Sequence, residues 1–556
     1  MRPIVDRKEN SKTKLLSRAV LLGATAILIY MALVKLIIHL LTANNYGYYV
    51  DEFYWLAMAK HLDFGYVDVT PLVAYVGAAW RFLFGASMFA IRILPSLAGA
   101  VMVFFAGLLA REMGGGRFAQ SVTALLVLVT PAWLMVDSLF TYDSFDQLCS
   151  IILFYLIVRL IKEETPRRWI GLGIMAGLGI MTKVTMVFTV GALVLALLAS
   201  PGLKSSGLKS PGRKSFLTKW PWLAAGIAIL LCTPYIIWQW VHGWPLITYC
   251  QGYTVNRFLF LGGGTSQGLL QFFGGLLLAL NPFLLGLYYL LFHQEGKKYR
   301  PLGLSFLVLL IFYIYRMSVL APKFLVSAYF PLLAAGVVWL EKIIIGAATS
   351  SQALLRRKGT FRLTPWLVRV YLGVILISSA LLAPLSLPLL PIDAFKKYEA
   401  ATQRFIMGSH NYQEAELPLQ FAFRFGWPEL VRKVAEVYHG LPEAEQKKCV
   451  ILTEFYGHAG AIDLLGKEYG LPNAISTHLS YYFWGPYPNQ TGIDPEVVIL
   501  LGKNYTLFTN FYEVIEADYL MGNPLGSVLS KNLPIFVCRK PKRPLKEVWP
   551  SLANFK

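Results

Sequence analysis

The sequence predicts a polytopic α-helical membrane protein of about 11 transmembrane helices with a C-terminal soluble α/β domain, and three observations predict it. First, 56% of the 556 residues are hydrophobic and 15% charged, where an ordinary soluble domain carries about 25% charged residues. Second, the apolar residues collect in runs long enough to cross a bilayer, and the charge lies between those runs. Third, the balance changes after Pro391: residues 390–556 hold 17 basic and 17 acidic side chains, the composition of a soluble unit. Disorder is excluded, because disordered chains are poor in apolar residues. A net charge of +20 points to nucleic acid only when polar modules display it, so no nucleic-acid partner is expected. Five cysteines without CxxC spacing exclude a disulfide framework or a zinc module.

The elements follow in order. The basic segment 1–18 leads into an apolar run from Ala19 to Leu41. A cleaved signal peptide would have a shorter core and a small-residue cleavage site, so this run reads as span 1 with a cytoplasmic flank. Residues 42–90 form the first outer loop; within it Pro71 to Phe84 is short for a span and reads as a helix lying in the interface. Span 2 runs from about Ile91 to Leu109, span 3 from Phe118 to Met135 and span 4 from Phe145 to Ile161. Spans 5 and 6 share Trp169 to Ala199, broken near Thr182-Lys183. Span 7 is Trp220 to Val241, span 8 Leu269 to Phe292, span 9 Leu302 to Ile314, span 10 Phe324 to Ile345 and span 11 Trp366 to Leu387. The stretch SSGLKSPGRKS near residue 210 reads as a flexible inner loop.

Charge supports that count. Eleven spans put the N-terminus inside and the tail outside. The inner segments then hold 25 Lys+Arg and the outer loops before residue 390 hold six, as the positive-inside rule requires. The expected location is therefore the cytoplasmic (inner) membrane, multi-pass, with residues 1–389 as the transmembrane domain and 390–556 exported to a periplasmic or extracellular space. In the tail, Trp427 to His439 has helical periodicity and Ala459 to Tyr469 reads as a second helix closing at Gly470. Cys449 to Phe455, Glu496 to Leu501 and Pro534 to Cys538 read as short buried strands.

Of 14 acids in residues 1–389, seven belong to inner segments, where solvation accounts for them. The other seven, Asp51, Glu52, Asp63, Asp68, Asp137, Asp143 and Asp146, lie in the first two outer loops or at their membrane edges. Acids at that depth cost free energy unless paired or wetted, so they mark a functional hypothesis. Asp51-Glu52 follows span 1 directly, where a carboxylate can take a proton from an acceptor hydroxyl; capping of a helix from Phe53 is the alternative for Asp51. Asp143 and Asp146, in FTYDSFDQL, face the first loop or cap span 4. Lys183 in GIMTKVTM, Lys323 in SVLAPKFLVSAYFP and Arg257 in GYTVNRFLF are placed to hold a donor phosphate through charge-assisted bonds, while Arg316 reads better as a snorkelling residue. His478, Tyr481, Tyr482 and Trp484, in THLSYYFWGPYP, offer a face for stacking on a sugar or pack in the core. Cys449 and Cys538 end two strands, as buried thiols or a disulfide. No metal site is expected from ligand spacing, so no cofactor is assigned; a divalent cation shared by Asp51 and a second-loop aspartate is the one arrangement that would change this.

In their order and spacing, these motifs resemble the bacterial family 39-type glycosyltransferases of the glycosyltransferase C superfamily, relatives of the protein O-mannosyltransferases and of the lipid A aminoarabinose transferase. The resemblance rests on Asp51-Glu52, VDVTPLVAYVGAAWRFLFGASMFAIRILPSLAGA, SLFTYDSFDQL, GLGIMTKVTMVF, TPYIIWQWVHGWPLITY and APKFLVSAYFPLLAAGVVWLE, and in the tail on FGWPELVRKVAEVYHGLP, FYGHAGAIDLLGKEYGLP and WGPYPNQTG. It implies a polyprenyl-phosphate sugar donor, an outer-face site and inversion at the anomeric carbon, hence a hexosyl- or pentosyltransferase whose acceptor is a lipid, glycan or protein. It also implies that Asp51 is the general base and Glu52 a positioning neighbour. Asp143 fits the wider superfamily pattern and Asp146 the subgroup. The aminoarabinose transferases have a basic residue before the first-loop proline; here Asp68-Val69-Thr70-Pro71 has none. The competing readings are a lipid-linked glycan transporter or flippase and a non-catalytic glycan-binding membrane protein. The first accounts for neither an exported α/β tail nor acids confined to the first two outer loops, and the retention of Asp51 speaks against the second.

Overall fold

The computed structural model describes residues 23–200, 204–205, 208–209, 211–260, 282–317, 325–349, 365–406, 416–486, 495–502, 509 and 511–555. Helix α1 (Ala24–Thr42) is followed by the short first-loop helices α2 (Val50–Met58) and α3 (Leu72–Phe84). Then come α4 (Met88–Glu112), α5 (Arg117–Val129), α6 (Pro131–Val136), α7 (Tyr142–Lys162), α8 (Pro166–Thr182), α9 (Met186–Ala199) and α10 (Lys219–Val241). The bundle continues with α11 (Pro245–Phe260), α12 (Pro282–Leu291), α13 (Arg300–Met317), α14 (Tyr329–Thr349) and α15 (Pro365–Leu382).

Among the described residues, seven helices are long and apolar enough to cross a membrane, and they correspond to spans 1, 2, 4, 7, 9, 10 and 11. The remaining expected spans are shorter helices. Span 3 is interrupted at Pro131, which lacks an N–H to continue the ladder and holds Thr130 extended at ψ 126°. Spans 5 and 6 separate at Lys183, as the sequence suggests. Only the α12 portion of span 8 lies within the described residues, and α11 occupies ground read as a loop. Helix α3 buries Val73, Ala74 and Gly77 while Phe82 is 89% exposed, the amphipathic profile of an interfacial helix.

Helix α4 packs against α1, α5 and α7 at the centre of the bundle. Two features secure it. Lys35 of α1 meets Asp137, at the end of α6, in an ion pair of 2.9 Å with both side chains fully buried, which gives each charge the partner that an apolar bundle demands. Gly99 of α4 makes room for it, since a Cβ there would lie 2.5 Å from an Asp137 carboxylate oxygen. Glu341 of α14, read as a solvated inner acid, is instead buried. Its carboxylate accepts the Gly116 N–H at 2.5 Å and the Ala119 N–H at 3.0 Å, capping the start of α5.

The tail opens with α16 (Ile392–Ile406), then α17 (Trp427–His439) and α18 (Tyr456–Leu465) flank a five-stranded sheet. Its strands are β1 (Cys449–Thr453), β2 (Ile475–Ser476), β3 (Val497–Leu501), β4 (Tyr512–Gly522) and β5 (Lys531–Pro541), in the order β2-β1-β3-β5-β4. The pairs β1–β2 and β1–β3 are parallel; β5 runs antiparallel to both β3 and β4. Helix α17 has the expected bounds, and α18 starts earlier than expected and gives way to a 3₁₀ turn before the left-handed Gly470. Cys449 and Cys538 are free thiols on strands separated by β3, so the disulfide alternative is not realised.

The tail has one apolar cluster of its own, around Leu452, Val498 and Trp549, and shares another with the first loop. Phe53, Tyr54, Trp55 and Met58 of α2 share one apolar cluster with Trp427, Leu430, Val431, Ile451 and Ile462. Every residue of α2 after Asp51 is buried, so this helix is the key that joins bundle to tail. The first outer loop, assigned to the transmembrane half at the sequence level, is thus equally an element of the tail core.

Glu52, in α2, and Arg92, in α4, form a second buried pair at 2.8 Å. Arg92→Met leaves the Glu52 carboxylate buried and uncompensated and is expected to cost about 3–5 kcal/mol, read as a lowered unfolding midpoint of the purified protein in detergent. Glu112→Gln, which breaks a partly exposed ion pair with Lys162, is the control expected to change that midpoint little.

Candidate active site

The site is built on the first turn of α2. The helix N-terminus carries Asp51 and Glu52 side by side, and the helix dipole favours both. A helical step of about 100° separates consecutive side chains, so the two acids meet different neighbours. Glu52 turns inward. Its Oε1 accepts Arg92 Nε at 2.9 Å and the Phe140 N–H at 3.1 Å; its Oε2 accepts Arg92 Nη2 at 2.8 Å and the Tyr49 N–H at 2.8 Å. A carboxylate with four such donors and no exposure has no capacity left for substrate. Glu52, grouped with the catalytic residues at the sequence level, is therefore a structural anchor that fixes α2.

Asp51 turns outward and stays partly exposed. Its Oδ1 accepts the Tyr456 hydroxyl at 2.6 Å, a bond delivered by the first residue of α18 in the tail. Tyr456 stacks on Tyr54 at 4.6 Å and on His478 at 5.3 Å. Beneath it the Tyr54 hydroxyl lies 2.9 Å from Asp68 Oδ1 and 2.7 Å from Ser480 Oγ. Burial pushes Asp68 up to about 7, against the pull of the Tyr54 hydroxyl, with the Asp51 charge adding to the rise.

The start of α7 and the break between α8 and α9 together supply a triad. Lys183, in the break between α8 and α9, sits 2.7 Å from Asp143 Oδ1 and 3.8 Å from Asp146 Oδ2, with its ammonium 4.6 Å from the centre of the Tyr142 ring. Asp146 Oδ2 also accepts from Ser327 Oγ at 3.4 Å, while Asp143 is more open. Both aspartates therefore belong to one cluster around one cation. Tyr49 links this cluster to α2: burial and then the Asp51 charge push its phenol up, and Arg424, Asp143 and Glu52 all lie within electrostatic reach of it.

The remaining outer acids also have partners. Asp63 Oδ2 accepts the Trp238 indole N–H at 2.8 Å, and Asp137 is the Lys35 partner described above. Arg257 lies on α11, where only the backbone is described, and Lys323 lies outside the described residues. The aromatic segment is not an open stacking platform. His478 is buried against Tyr456; Tyr482 packs parallel to Trp549 at 5.8 Å and onto Phe555; Trp484 stacks on His61 at 4.4 Å and touches Tyr481. His478 and Tyr482 thus pack within the tail, and Trp484 reaches the first loop. Among the described residues no three His, Cys, Asp or Glu side chains converge as a metal site.

Two functional candidates escaped the sequence reading. Tyr456 gave no signal beyond its place in FYGHAG. Arg424 is buried, donates Nη2 to Ser138 Oγ at 3.4 Å and packs 5.7 Å from the Phe421 ring centre, yet its Nε and Nη1 have no hydrogen-bond partner among the described residues. Burial, with the Arg92 charge next, lowers its guanidinium to about 9.

Comparison with known proteins bears on these residues. Residues 68–238 match a family model described as dolichyl-phosphate-mannose-protein mannosyltransferase. The fold is similar to the crystal structure of ArnT from Cupriavidus metallidurans in the apo state, at 14% identity and TM-score 0.53, covering 93% of this chain and 98% of that one. The same protein bound to undecaprenyl phosphate matches at 13% identity and TM-score 0.52, with the same coverage. No curated protein sequence matches the chain.

The upward shift of the Asp68 carboxyl has a stability consequence. A carboxyl held near 7 when folded and near 3.8 when unfolded keeps its proton longer in the folded state, so it subtracts stability as pH climbs through that window and does so fully above 7. Asp68→Asn, which preserves an acceptor for Tyr54, is expected to raise the unfolding midpoint relative to the parent at pH 8 and to have little effect at pH 4; equal shifts at both values would contradict this.

Proposed function

From a chain that is family 39-type in its motifs and glycosyltransferase C in its fold, we propose an inverting glycosyltransferase that moves a hexose or pentose from a polyprenyl-phosphate donor to an acceptor hydroxyl on the outer face of the cytoplasmic membrane. The observation that carries this reading is the contrast within one pair: Glu52 is sealed in an ion pair, while Asp51 is partly exposed, bonded by Tyr456, and acts on the same Tyr49 phenol as Asp143 of the Asp143–Lys183–Asp146 cluster. The solved relative that binds undecaprenyl phosphate supports a lipid-phosphate donor.

In this reading Asp51 removes the acceptor proton as its oxygen attacks the anomeric carbon. The bond from that carbon to the phosphate oxygen breaks, and the lipid phosphate departs with the electron pair. No nucleotide is needed, because the phosphodiester already supplies the leaving group. Cations stabilise the departing charge. Lys183 serves by exchanging a carboxylate for the phosphate. Arg424, with two N–H groups unpartnered among the described residues, is a further candidate, beside Arg257 and Lys323. Acids of the second loop shape the donor side, and the tail covers the acceptor side. The acceptor is a lipid, glycan or protein hydroxyl.

Asp51→Asn should lower transfer by about 10²–10⁴-fold in a reconstituted assay with a polyprenyl-phosphate sugar, leaving donor binding intact. Wild-type turnover in that variant would overturn the base assignment. Lys183→Ala should raise the apparent donor KM more than the acceptor KM, and poor acceptor use at unchanged donor KM would contradict its role. For topology, in a background with the exposed Cys250 removed, a cysteine replacing the exposed Glu443 should react with an impermeant maleimide in intact spheroplasts, and one replacing Thr218 should not.

A further inference from the structure

Among the described residues, Asp51 takes a partner from the tail: a hydroxyl on a ring held between two others. The Tyr456 ring lies between Tyr54 and His478, at 4.6 and 5.3 Å, with interplanar angles of 30° and 11°. Both neighbours are themselves tied down: Tyr54 by Asp68 and Ser480, His478 by accepting the Tyr456 N–H at Nδ1, 3.4 Å away. The phenol therefore has little freedom to leave Asp51. We propose that Tyr456 is a positioning residue for Asp51, so that the exported domain completes the catalytic base rather than merely covering it. This rests on the reading of Asp51 as general base.

The physical argument is direct. A hydroxyl 2.6 Å from a carboxylate is a charge-assisted bond to the ionised form. It favours the carboxylate over the acid, so it holds Asp51 deprotonated and fixes the plane of its oxygens toward the acceptor. Burial, reinforced by the Asp51 charge, pushes the Tyr456 phenol far up, so it stays a donor throughout the working range. The price is basicity: a carboxylate so held is a weaker base, but it is present in the ionised form at lower pH.

The neighbouring acids have partners of their own. Glu52 is matched by Arg92 and Asp143 by Lys183. Tyr49 stays protonated, pushed up by burial. Asp68 titrates near 7, so it carries its proton across the acid limb of the rate profile and contributes no competing charge there.

The test is the pH profile of kcat/KM for transfer from a polyprenyl-phosphate sugar by the full-length protein. Tyr456→Phe keeps the ring and removes the hydroxyl. Its acid limb should move up by about one pH unit, and kcat near the foot of that limb should fall about tenfold, with the donor KM unchanged. Incorporating 3-fluorotyrosine at 456, a stronger donor, should move the limb down. Shifts of opposite sign cannot come from a general loss of fold, and an unfolding midpoint for each variant guards against one. A limb that stays in place in both variants, while Asp51→Asn is inactive, overturns the positioning role and leaves the base assignment standing. An Asp51→Asn protein of wild-type rate overturns both.

Discussion

One ion pair organises this molecule. Arg92 sits near the outer end of α4, and its guanidinium donates to Glu52 and to the carbonyls of Ala43, at 2.7 Å, and Gly47, at 2.8 Å. Glu52 in turn accepts the backbone N–H groups of Tyr49 and Phe140. The end of the first span, the start of α2, the second span and the second outer loop are thereby tied through two side chains. Because both are buried, neither can be removed without leaving an uncompensated charge. The orientation of α2 follows from this pair, and with it the outward direction of Asp51.

The tail depends on the same arrangement. With α2 held at one end by Arg92, its apolar residues present a ready surface, and Trp427, Val431 and Ile462 close over it. The docking brings Tyr456 to Asp51 and Ser480 to Tyr54. Bundle and tail are thus joined through a nine-residue helix. Of the aromatic residues suited to sugar stacking, Trp484 belongs to that seam, against His61, while His478 packs on Tyr456 within the tail.

Much of this was legible beforehand where local physics decides. The helix break at Lys183, the bounds of Trp427–His439 and the interfacial character of α3 follow from hydropathy, charge and periodicity. Other features were not legible, because they depend on partners remote in sequence. Pro131 shortens span 3, and Glu341 caps a helix more than 200 positions away from it rather than meeting water. The matched pair Lys35–Asp137 turns an acid that looked functional into a packing element.

The sequence by itself determined the helical membrane architecture, the uneven charge of the segments between the apolar runs, the balanced tail and the gathering of seven acids around two of those segments, since each follows from how residues partition between water and lipid. Only the tertiary structure decided which acid meets which partner. Asp51 and Glu52 are neighbours with the same chemistry, and neither hydropathy nor charge pattern shows what each will touch. What separates them is the turn of the helix between them: one carboxylate points into the Arg92 guanidinium, the other toward a partly open surface and a tyrosine 405 positions downstream.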